Sequence, residues 1–67
     1  MQSYFIPGRY DIETEINGKL YSGYYTLGKD TITVHYSYHS ESTQKSSNND
    51  VLATIILGQL VRKFEND

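Results

Sequence analysis

The dipeptide Asn17-Gly18, set between two runs of alternating polarity, constrains this chain more than any other feature. Asn-Gly is the strongest short hairpin signal, because both central residues of a type I′ turn need positive φ. Ahead of it, "RYDIETEI" sets Tyr10, Ile12, Thr14 and Ile16 against Asp11, Glu13 and Glu15. That period of two is the mark of a half-buried strand. A two-residue turn then fixes the pairing. Ile16 falls opposite Lys19, Thr14 opposite Tyr21, Ile12 opposite Gly23 and Tyr10 opposite Tyr25.

A second turn, "GKDT", leads into "TITVHYSYHS", a run of β-branched and aromatic residues that reads as the third strand. Taken as a four-residue loop, it sets Leu27 against Ile32, Tyr25 against Val34, Gly23 against Tyr36 and Tyr21 against Tyr38. The two turns are independent, yet they place one set on one face: Tyr10, Ile12, Ile16, Tyr21, Tyr25, Leu27, Ile32, Val34, Tyr36 and Tyr38. The phenol hydroxyls of Tyr21 and Tyr25 are expected at the rim of that core, open to water or a partner. Gly23, between these two rings, leaves room for a close approach. The other face carries Asp11, Tyr24 and His35 in one row, Glu13, Ser22 and Ser37 in another, and Glu15, Leu20 and His39 in a third.

After a polar stretch, "ESTQKSSNN", that reads as a loop, the period changes. Between residues 50 and about 64, Leu52, Ala53, Ile56, Leu57, Leu60, Val61 and Phe64 fall on one side of a helix. Asn48 or Asn49 is placed to cap it, Asp50 suits its first turn, and Arg62 and Lys63 suit its last. The expected fold class is therefore α+β: a three-stranded antiparallel β-meander packed on one face by a C-terminal α-helix, in the order β-β-β-α. Residues 3–6 are available to extend the sheet, and the aromatic pair Tyr4 and Phe5 to cover an open end of the core. All 67 residues are expected to form a single domain.

The chain has no cysteine, so neither a disulfide framework nor a thiolate zinc site staples it. Chains this short often complete their stability by pairing with a second copy or another protein. A net charge of −2, with six scattered basic residues, argues against sequence-independent binding to nucleic acid. No basic start with a following apolar run marks a signal peptide, and no apolar run is long enough for a membrane span. A cytoplasmic location is the simplest expectation.

Catalytic signals are sparse. The Asp11–Tyr24–His35 row holds group types used in acid–base chemistry, but flanking strands lie about 9.6 Å apart on an open face that excludes no water. His35 and His39 would be about 13 Å apart along one strand, too far to share a metal. No nucleophile elbow, P-loop or zinc-helix motif is present. The expectation is a non-enzyme without cofactor or metal.

Association is better supported. The third strand, read as an edge, offers Tyr36 and Tyr38 with neither proline nor lysine to discourage pairing. Val51 and Ile55 lie outside the helix's main apolar stripe, with Gly58 near them. The candidate interaction surface is thus Val51, Ile55, Tyr24, His35, Tyr36 and Tyr38. The expected function is a non-catalytic protein-interaction module that self-associates or binds another protein. The alternative is a nucleic-acid-associated regulator using the sheet face around Tyr24, a role opposed by the carboxylates of Asp11, Glu13 and Glu15.

Overall fold

A computed structural model describes residues 9–65 of the chain. The elements run β1 (Tyr10–Ile16), β2 (Lys19–Leu27), β3 (Thr31–Tyr36), β4 (His39–Gln44) and α1 (Asn49–Glu65). The strands form one antiparallel sheet in the order β1-β2-β3-β4, an α+β meander with the helix on one face. Residues 3–6, expected to extend the sheet, lie outside the described residues.

The first hairpin forms as its turn dictates. Asn17 and Gly18 both take positive φ, 55° and 80°, and all seven pairings run from Ile16↔Lys19 to Tyr10↔Tyr25. The second register also agrees, from Leu27↔Ile32 to Tyr24↔His35, with the Gly28 N–H donating to the Thr31 carbonyl at 2.8 Å.

The third run departs from expectation, because "TITVHYSYHS" is a hairpin and not a single strand. Ser37 takes φ 54°, the chain reverses at Ser37-Tyr38, and β4 pairs back on β3 from Tyr36↔His39 to Thr31↔Gln44. The sheet therefore has four strands rather than three, and residues 41–44, read as loop, belong to the fourth. The Lys45 N–H donates to the Asp30 carbonyl at 3.1 Å and holds the end of this strand in place.

The reversal changes three side-chain assignments. Tyr38 leaves the core face for the tip of the turn, where it is 99% exposed. His39, paired with Tyr36, moves from the outer face to the helix face, so His35 and His39 lie on opposite sides of the sheet. The β3 strand becomes internal, and among the described residues β1 and β4 are the outer strands of the sheet.

The helix begins where Asn48 caps it: Asn48 Oδ1 accepts the Val51 N–H at 3.3 Å, and the Asn48 carbonyl accepts the Leu52 N–H at 3.2 Å. Ala53, Ile56, Leu57, Leu60 and Val61 are buried against Tyr25, Ile32 and Val34, with Ile12, Ile16, Tyr21, Tyr36 and Leu52 packed around them. Two expected core-face residues of the sheet lie at the rim instead: Tyr10 stacks on Tyr25 at 5.0 Å, and Leu27 is exposed. Gly23 does allow the close approach its position suggested. A Cβ there would stand 2.4 Å from the His35 carbonyl oxygen and 2.9 Å from Leu57 Cδ1.

Candidate functional site

Three side-chain contacts among the described residues fasten α1 to the sheet at its two ends, and none of them involves its outer side. At the start, the Tyr25 hydroxyl donates to Asp50 Oδ1. At the finish, the Tyr36 hydroxyl donates to Glu65 Oε2 at 2.8 Å, and the His39 ring stacks on Phe64. The hydrogen bond to Asp50, with burial and that carboxylate's charge, pushes the Tyr25 phenol up to about 12. Burial first, then the bond to Glu65, pushes Tyr36 up to about 12 as well. The Tyr25 hydroxyl is thus met within the chain and does not wait at the rim for a partner. Phe64, expected in the core stripe, is 42% exposed.

Opposite the buried stripe stand Val51 and Ile55, each 53% exposed and one turn apart. At 100° per residue, Gly58 and Arg62 continue the same line, giving a stripe spaced by four, three and four residues along the helix. A Cβ added at Gly58 would meet none of the described residues within 4 Å, so neither the sheet nor the helix's own side chains require glycine there. Ile55, Gly58 and Arg62 form one wall of a groove of about 410 Å³ whose other wall is residues 14–16 of β1.

The outer face of the sheet carries a column of three planar groups. The His35 ring stacks on Tyr24 at 4.5 Å and 13°, and the Arg9 guanidinium lies 4.1 Å from the centre of the Tyr24 ring. Arg9 arrives from the β1 side and His35 from β3, so both faces of the phenol are covered. Arg9 also pairs with Asp11 at 3.2 Å. Tyr24 and His35 meet face to face, a geometry for dispersion and π contact rather than proton transfer. Tyr24 likewise has no free face for stacking on a nucleotide base. The shallow depression around the column, about 590 Å³, opens broadly to solvent and includes Asp11 and Glu13.

The six candidate residues are therefore dispersed. Val51 and Ile55 are together on the helix, Tyr24 and His35 are together on the far sheet face, Tyr36 packs against the core, and Tyr38 stands alone at a turn. The expected strand-3 edge, with Tyr36 and Tyr38 as a receiving surface, is corrected by β4, which occupies that edge. Among the described residues no three His, Cys, Asp or Glu side chains converge as metal ligands, and no helix is long and apolar enough to cross a membrane. Comparison with protein-family models, curated proteins and solved structures finds no match for this chain.

Proposed function

We propose that this chain is a non-catalytic protein-interaction module that associates with a second copy of itself through the outer side of α1. The observation that supports this reading is the adjacent exposure of Val51 and Ile55 on the side of the helix turned away from its own sheet. The sheet edges are poorer routes. On β4, Glu41 pairs with Val34 and so sits on the helix face, an inward charge that discourages a further strand. On β1, self-pairing would bring the carboxylates of Asp11, Glu13 and Glu15 against their own copies.

The stripe from Val51 to Arg62 is about 16 Å long at 1.5 Å per residue. A contact of that length falls below about 1,200 Å² of buried surface, the range of weak and reversible association. Sedimentation velocity from micromolar to millimolar protein tests this reading. The parent chain should shift from monomer to dimer across that range. A Val51→Glu/Ile55→Glu variant should remain monomeric with an unchanged circular dichroism spectrum. A parent chain that stays monomeric throughout would refute the reading.

A further inference from the structure

The outer stripe of α1 complements itself when one copy is turned end for end. From this we infer that the dimer is an antiparallel helix pair, with its two-fold axis level with the Ile56–Leu57 peptide bond. The inference rests on the self-association proposed above and names its geometry. With the axis midway between residues 56 and 57, Ile55 faces Gly58 of the second copy and Val51 faces its Arg62. Four layers result, each pairing a large group with a small one or an apolar group with an aliphatic stem.

Gly58 is the residue that selects this register. Glycine is disfavoured in a helix interior, and none of the described residues lies close enough to require it. In the antiparallel register it becomes a gap in the stripe, and Ile55 of the other copy is the knob that fills it. The gap opens into the groove against residues 14–16 of β1, where Ile16 supplies an apolar side.

Arg62 rejects the parallel alternative. Parallel helices in register would set Arg62 on Arg62 and Gly58 on Gly58, a like-charge contact beside a void. Turned end for end, each Arg62 lays its methylene stem across Val51 of the other copy and keeps its guanidinium at the rim. The two macrodipoles then also oppose one another. The assembly has its helices back to back, with both Arg9–Tyr24–His35 columns facing outward on opposite sides.

The chain's lack of cysteine allows a direct test. Val51→Cys and Arg62→Cys proteins, one carrying a mass tag, are oxidised mildly, each alone and then mixed. The mixture should crosslink about tenfold faster than either protein alone. Two copies of position 51 lie about 16 Å apart along the antiparallel pair, well beyond the Cα separation of about 4.4–6.8 Å that a disulfide allows. Efficient crosslinking of Val51→Cys alone would mean parallel pairing, overturning the register but leaving self-association intact. No crosslinking in any sample, while the reduced proteins still sediment as dimers, would place the interface elsewhere and overturn the register too. If the parent chain is monomeric, the underlying reading fails, and the register with it. Gly58→Ala supplies a second test that needs no cysteine. It should weaken dimerisation about tenfold by filling the gap, and an unchanged dissociation constant would overturn the proposal.

Discussion

Gly23→Ala and Gly58→Ala make the same chemical change and should have opposite effects. At Gly23 the new methyl would stand 2.4 Å from the His35 carbonyl oxygen and 2.9 Å from Leu57 Cδ1. The first obstacle is backbone, held by the Tyr24↔His35 pairing, and the second belongs to a fully buried leucine. Neither is the free end of a flexible side chain, so strand or helix must move. Overpacking of this kind costs about 1–3 kcal/mol, and the loss of glycine's unfolded-state freedom returns about 0.5–1. With a backbone atom in the way the upper end of that cost applies, about 3 kcal/mol, so the net expectation is a loss of about 2 kcal/mol, from a total that for a chain of this length is only about 3–10. At Gly58 the methyl meets nothing within 4 Å, so the helix should gain about 1 kcal/mol. Urea unfolding followed by far-ultraviolet circular dichroism, at concentrations where the chain is monomeric, reads both. With a slope of about 1 kcal/mol per molar, Gly23→Ala should lower the midpoint by about 2 M and Gly58→Ala should raise it by about 1 M. Coincident midpoints for the two variants would refute the close approach of α1 to β2.

Three further outcomes are expected. Ser37 holds φ 54° without glycine's freedom, so Ser37→Gly should stabilise the β3–β4 turn by about 1 kcal/mol, read as a higher thermal midpoint. Asn48→Ala removes the acceptor for the Val51 N–H and should cost about 1 kcal/mol in the same unfolding assay. Tyr25 and Tyr36 are both held near 12, above the ordinary phenol value of 10.0. The fold prefers their neutral forms, so their contribution is complete below pH 10 and is lost as pH rises through about 12. Phenolate absorbance should show a late phase that coincides with loss of circular dichroism, and Tyr36→Phe should diminish that phase.

The legible parts of this fold are those set by local rules. Asn17-Gly18 specified its turn and thereby seven strand pairings; the four-residue connection at Gly28 specified four more. The change from a period of two to one of 3.6 located α1, and the same periodicity picked out Val51 and Ile55 as the side that its own sheet leaves uncovered. The fourth strand gave no such signal. Its helix-face positions are His39, Glu41 and Thr43, and its other positions are Ser40, Ser42 and Gln44, so no hydrophobic alternation marks it. It is held by pairing with β3, including the Thr33–Ser42 hydroxyl contact at 2.7 Å, and not by apolar burial of its own side chains. The reversal at Ser37-Tyr38 was hidden for a related reason. Ser37 in the left-handed region is not a turn that residue type announces.

By itself, then, the sequence determined the first three strands' registers, the buried face of the helix and the exposed pair on its back, because adjacent residues settle φ, ψ and periodicity. Only the tertiary structure decided that β3 is internal, that His39 stacks on Phe64 rather than pointing outward, and that both faces of Tyr24 are covered. Only it decided that Asp50 and Glu65 receive the hydroxyls of Tyr25 and Tyr36. Apart from the local reversal that makes β3 internal, each of these joins groups well separated in the chain, and such contacts depend on where the sheet ends and how the helix lies across it. Side-chain type alone does not encode that geometry.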